Sequence, residues 1–165
     1  MENYIVIKGK KAELTEEQLK ALGIEVEKDD PFKRGISGNK YYYISSEGVV
    51  YVETDIGISS DYKCYNTANY CTDKALMEQR ALHETLNRLL WRYSMQHGGE
   101  EIDWTNCGQR KFVIYMDKVT GKLDSSDYYC QKFEGSIYFV SGETAEAAIE
   151  EIVKPFMEQH PEFVW

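Results

Sequence analysis

Apolar residues return every three or four positions between Asp73 and Gln96. Ala75, Leu82, Leu86, Leu89, Leu90 and Tyr93 fall on one face, and Glu78, Glu84, Asn87, Arg88 and Arg92 look elsewhere. The spacing predicts a long amphipathic helix capped at Thr72 and ended by Gly98 and Gly99. A second stripe, Ala145, Ala148, Ile149, Ile152 and Phe156, follows Ser141 and turns Glu146, Glu150 and Glu151 outward. Pro155 lacks a backbone donor, so this helix is expected to kink or end near Lys154.

Period two appears ahead of each helix. Tyr41 and Tyr43 alternate with Tyr42 and Ile44, a turn falls at Ser46 to Gly48, and Val49 to Val52 return. Farther on, Phe112, Ile114 and Met116 alternate with Val113 and Tyr115 before a loop at Gly121. Each hairpin is followed by an irregular stretch, a short strand and a helix cap, with Thr72 set against Ser141. The pattern implies an α+β fold: a mainly antiparallel sheet with two amphipathic helices on one face, built from a duplicated ββ-β-α unit. The halves run over about 41–99 and 110–158 of a main domain spanning 41–165. Ahead of it, residues 1–24 read as a hairpin turning at Gly9 and a short helix boxed by Thr15 and Gln18 and closed by Gly23. Residues 25–40, charged and carrying Pro31, Gly35 and Gly38, read as a linker.

Charge narrows the range of partners. With 28 acidic against 19 basic side chains, a net −9, the average field repels polyphosphate, so direct nucleic-acid binding is not expected and a basic protein is the natural counterpart. No apolar run reaches the roughly 20 residues of a membrane span, and the amino terminus lacks signal-peptide character. Cys64, Cys71, Cys107 and Cys130 show no two-residue spacing, so all four are expected as thiols in a reducing cytoplasm.

No residue pattern points to catalysis, a metal or a cofactor. His83, His97 and His160 have no ligand partner at helical spacing. Cys107, near Arg110 and Lys111, is the least inert thiol, but idle packing is the simpler account. The chain is therefore expected not to be an enzyme. Its 13 tyrosines suit recognition as well as strands. The sharpest surface patch is "HGGEEIDW", where Glu100, Glu101, Asp103 and Trp104, extended by Trp91 and Tyr93, set aromatic anchors beside carboxylates and form the candidate partner-binding site.

The stretches "KYYYIS", "NYCTDK", "ALHETLNRLLWRYSMQHGG" and "IVKPFMEQHPEF" resemble small accessory proteins encoded by phages and prophages of Gram-positive gut bacteria. The resemblance covers nearly the whole chain and implies expression in the host bacterial cytoplasm. It brings no catalytic residue. The expectation is an anti-CRISPR-like inhibitor of a bacterial antiviral defence system, its carboxylates standing in for DNA phosphates in a basic cleft of a nucleic-acid-binding effector. Two alternatives stand beside it. One is a nucleotide or signal-molecule sponge using tyrosine stacking with Arg80, Arg88, Arg92 or Lys111 on phosphate; the other is a homo-oligomeric scaffolding protein.

Overall fold

A computed structural model describes residues 4–7, 10–22, 30–35 and 38–165, and the chain divides into compact units Met1–Lys33 and Arg34–Trp165. In the first unit, β1 (Tyr4–Ile7) pairs antiparallel with β2 (Lys10–Glu13) and is followed by α1 (Glu16–Ala21). The Thr15 hydroxyl accepts from Gln18 N–H, and the Gln18 side-chain Oε1 accepts from Thr15 N–H, the reciprocal box expected of this sequence. Gly9 and Gly23, assigned to the turn and the helix end, lie outside the described residues.

The second unit begins with residues read as linker. Arg34 and Gly35 bond to Asp55 and Tyr70, Gly38 N–H donates to the Asp55 carbonyl, and Asp55 N–H donates to that of Asn39. Then come β3 (Lys40–Ile44), β4 (Val50–Thr54), α2 (Ser59–Asn66), α3 (Lys74–Gln96), a 3-10 turn (Gly99–Glu101), β5 (Lys111–Asp117), β6 (Lys122–Tyr128), α4 (Gly142–Ala148), a π turn (Ile149–Val153) and α5 (Lys154–Gln159). The class is α+β. Among the described residues the strands form separate two-stranded ladders, β1 with β2, β3 with β4 and β5 with β6, and not one continuous sheet.

Each of the later hairpins gains one further bridge, always on its first strand. Tyr42 and Cys71 exchange N–H to carbonyl bonds of 2.7 and 3.1 Å, as Phe112 and Phe139 do at 2.9 and 2.8 Å. Two residues after each bridge stands a helix cap. Asp73 accepts from Leu76 N–H, and Ser141 accepts from Thr144 N–H. The cap of α3 is therefore Asp73 and not Thr72, because its carboxylate reaches the third amide of the helix. Gly142 sits immediately after Ser141 because a Cβ there would come within 3.2 Å of the Phe112 ring.

The face that α3 buries also differs from the simple stripe. Ala75 is exposed, whereas Met77 and Ala81 are buried with Ile44 and Cys71 in one cluster. Farther along, Leu86, Leu90 and Tyr93 enter a larger cluster with Phe139, Ala148 and Phe156. The helix serves two cores in succession, so its buried face drifts along its length. It ends at His97, followed by Gly98 in the left-handed region at φ 85°, where a side chain would be strained.

Pro155 does not end the last helix. Lys154 N–H reaches back five residues to the Ile149 carbonyl, and the chain continues helically to Gln159. The early end expected near Lys154 does not occur; a π turn interrupts the α-helical pattern there and accommodates the proline's missing donor and its crowding of the preceding turn.

The thiol expectation holds for only part of the set. Cys107 and Cys130 form a disulfide with Cα atoms 4.9 Å apart, inside the normal range for such bridges. Cys64 carries a free thiol, and Cys71 is buried with its sulfur accepting from Asp73 N–H. Among the described residues no helix is long and apolar enough to cross a membrane.

Candidate functional site

The residues of "HGGEEIDW" divide on folding. Glu100 and Glu101 are exposed in the 3-10 turn, and Trp91 stands 58% exposed on α3. Tyr93 is buried, its ring stacked on His97 at 4.0 Å and its hydroxyl donating to Glu151, so it belongs to the core and offers no surface to a partner. Asp103 accepts from both the amide and the hydroxyl of Thr105, which hold its carboxyl below the usual range. Trp104 is half-buried, edge-on to Tyr138 at 4.8 Å. Lys111, wholly buried, donates to the carbonyls of Asn106, Gln109 and Tyr129 and so satisfies its three N–H donors. With the Cys107–Cys130 bridge it ties this loop to the end of β6, beside the exposed Glu100 and Glu101.

A better-formed surface lies beside the second hairpin. Met116 and Leu123 face each other across β5 and β6, and with Ala147, Ile149 and Met157 of the last helix they floor a groove of about 1040 Å³. Its rim carries five carboxylates, Asp124, Glu143, Glu146, Glu150 and Glu158, against two ammonium groups, Lys122 and Lys154. Lys154 is paired with Glu150, one turn away on the same helix. Glu143, Glu146 and Glu150 recur at steps of three and four residues, which keeps them along one edge. Glu143 stands in the first turn of α4, where its own backbone N–H and then the Ser141 hydroxyl hold its carboxyl below the ordinary range.

The outward position of Glu146 and Glu150 was legible in the sequence. What was not legible is that the second hairpin packs beside that helix, with Met116, Leu123 and Met157 between them, because cross-element placement leaves no local signal.

A second cavity, about 340 Å³, lies between α3, the second hairpin and the carboxyl-terminal tail. Phe133, Phe139, Phe163, Trp165 and Tyr128 line it, with His83 and Asn87 at its polar side. No Lys, Arg, Asp or Glu lines it among the described residues. Three of the four cations proposed for phosphate are engaged elsewhere. Arg80 bonds Glu84 and the Ala68 carbonyl, Arg88 bonds the Glu84 and Ser46 carbonyls, and Lys111 is buried. Arg92 is exposed on α3 and does not line the cavity.

A further polar cluster lies beside the β3–β4 hairpin. Asp55 and Asp61 are both buried; Arg34 pairs with the first, while the Tyr41 hydroxyl and the N–H groups of Ile56 and Ile58 donate to the second. Two buried carboxylates suggest acid–base chemistry at first sight, but each is bonded into the scaffold, and no buried side-chain polar atom among the described residues lacks a partner. No group of three or more metal-ligating side chains occurs among those residues.

No protein-family model, curated protein or solved structure matches the chain.

Proposed function

We propose that this chain is a phage-encoded, non-enzymatic accessory protein that inhibits a bacterial antiviral defence system by binding a basic, nucleic-acid-binding effector in the host cytoplasm. The observation that carries this reading is the groove beside the second hairpin, where five carboxylates ring an apolar floor. Such a surface repels nucleic acid and attracts a cationic protein, and an apolar floor adds burial that a purely acidic face would lack. The acidic turn at Glu100 and Glu101 and the exposed Trp91 are the secondary contacts. The test is an infection assay. Expression of the protein should raise phage plating on strains armed with a nucleic-acid-targeting defence system, and Glu146→Lys with Glu150→Lys should abolish the gain. Wild-type protein that raises plating on none of the armed strains would remove the proposal.

The finer architecture supports a gene duplication within the second unit. Tyr42 and Phe112, Cys71 and Phe139, and Asp73 and Ser141 occupy matching places in hairpin, bridge and cap. Superposition on those three pairs should bring the α3 and α4 axes together. Axes that diverge would count against common descent.

The aromatic cavity favours a second reading, a small-molecule sponge, in a restricted form. A neutral lining of rings suits an uncharged aromatic ligand and gives phosphate no partner. Thermal shifts with free nucleobases and indoles, compared with nucleotides, separate the two: stabilisation by nucleotides alone would contradict the chemistry of this lining.

A further inference from the structure

We infer that the groove between the second hairpin and the last helix receives a basic amphipathic helix of the partner, its apolar side seated on the floor and its cations on the rim. The inference rests on the basic-partner reading above and specifies the shape of what binds.

The floor decides for a helix. Ala147 and Met157 are joined by continuous helical chain, so they lie about 15 Å apart at 1.5 Å per residue, close to three turns of a docked helix. Ala147 stands near one end of that strip and Met157 near the other, with Met116 and Leu123 as the opposite wall, so apolar side chains two to three turns apart on a docked helix meet apolar surface at both ends. Ala147 allows close backbone approach at one end. Met116 and Met157 supply unbranched, polarizable side chains that adapt to a range of apolar shapes, a property of surfaces that accept helices. The floor residues are half-buried or buried and continuous with the core: Leu123, Ala147 and Met157 pack against the large cluster. A ligand therefore covers surface that is already set in place.

The rim decides the charge. Glu143, Glu146 and Glu150 form one edge, Glu158 lies beyond the π turn, and Asp124 answers from the hairpin. Lysine or arginine flanking the apolar face of a docked helix would reach carboxylates on both sides. With five carboxylates against Lys122 and Lys154, and Lys154 already paired with Glu150, an acidic helix would meet net repulsion, and a nucleic acid would meet it without gaining from the floor. The π turn lies against the middle of the groove, and such turns are frequent at functional sites.

The test uses the full chain and a fluorescent peptide of about 18 residues made of leucine and lysine with leucine at helical spacing, a length that covers the strip with a turn to spare. A second peptide of identical composition, scrambled so that no apolar face forms, is the control. The patterned peptide should bind, gain helical circular dichroism on binding and shift the methyl resonances of Met116 and Met157 while leaving Met77 and Met95 in place. Met157→Ala should weaken binding about tenfold through lost burial, and Met157→Leu should retain it. Glu146→Lys with Glu150→Lys should also weaken binding, with a deficit that shrinks at high salt. Equal binding of the scrambled peptide, or binding that leaves both methionine methyls unmoved, would overturn the inference while leaving a basic partner in place. Peptide docking as expected, with no gain in plating during infection, would do the reverse.

Discussion

The guanidinium of Arg34 faces the carboxylate of Asp55 through two hydrogen bonds of 2.7 Å, Nε to Oδ2 and Nη2 to Oδ1. Asp55 is 1% exposed, and the same guanidinium lies 3.8 Å over the Tyr62 ring. The bonds from Arg34 bring the Asp55 carboxyl down to about 2, opposed by burial and helped by Gly57 N–H. Because the folded value is lowered, the pair's contribution is fully present above the ordinary aspartate value of 3.8 and is lost as pH falls through about 2. Arg34→Met should therefore lower the urea midpoint at pH 7, and the gap to wild type should close between about pH 4 and pH 2. A gap that stays constant over that range would assign the loss to packing on Tyr62 instead.

Asp61 makes a sharper demand, because one carboxylate holds three donors. Its Oδ1 accepts from the Tyr41 hydroxyl at 3.0 Å, and its Oδ2 accepts from Ile56 and Ile58 N–H at 3.0 Å each. Burial first, and then the bond to Asp61, raise the Tyr41 phenol above its ordinary value, so it remains a donor throughout the neutral range. Asp61→Ala should cost about 3 kcal/mol, since the orphaned donors face a buried site. Tyr41→Phe removes one bond of the three and should cost about 1 kcal/mol. Chemical denaturation of both variants checks the ratio. Equal losses would mean that Asp61 acts mainly through Tyr41.

The Cys107–Cys130 bridge closes a segment of 23 residues that includes the whole second hairpin. Chain-entropy arguments put its contribution at about 3 kcal/mol. Oxidised protein, unfolded in denaturant, should expose two reactive thiols to a colorimetric reagent, and reduction should raise the number to four, all the cysteines of the chain. Reduction or Cys130→Ser should lower the midpoint of unfolding. The buried Lys111, bonded to Tyr129 next to Cys130, should keep the loop in place in the reduced protein, so the loss should fall on stability and leave the fold intact.

The hairpins, the capped helices and the box at Thr15 were legible because each depends on residues within a few positions of one another. The α2 helix was not, since Ser59–Asn66 has no apolar stripe and its buried side chain is Asp61. Its start is fixed by a carboxylate accepting the N–H of Ile58, and a lone aspartate in "GISSDYK" carries that signal too weakly to read. Cys107 and Cys130 are too far apart in sequence for pairing to be deduced from spacing. Tyr93 was read both in the apolar stripe and, beside Trp91, in the partner patch, and the stripe prevails: on α3 two residues' separation turns Trp91 to solvent and Tyr93 to the core. The groove was the least legible feature, as its acidic edge is local while its floor joins β5, β6 and the last helix.

The carboxyl-terminal tail offers a test of how one side chain secures a segment distant in sequence. Gln79 on α3 bonds to both sides of Phe163: its amide nitrogen donates to the Glu162 carbonyl at 2.6 Å, and its oxygen accepts from Val164 N–H at 3.1 Å. Between those anchors the Phe163 ring is buried, 4.7 Å from His83 and 5.5 Å from Phe156. The clamp and the ring therefore do different things. Gln79→Ala frees two backbone groups near solvent, and should cost about 1 kcal/mol while speeding amide exchange at Val164. Phe163→Ala removes a buried ring from the large cluster and should cost about 3 to 4 kcal/mol. Because Phe163 and Trp165 also wall the aromatic cavity, both changes should alter the binding of any ring-shaped ligand there, and neither should alter peptide docking on the acidic groove. Hydrogen exchange, denaturation and the peptide titration, run on the same two variants, separate the tail's contribution to the core from any role in recognition.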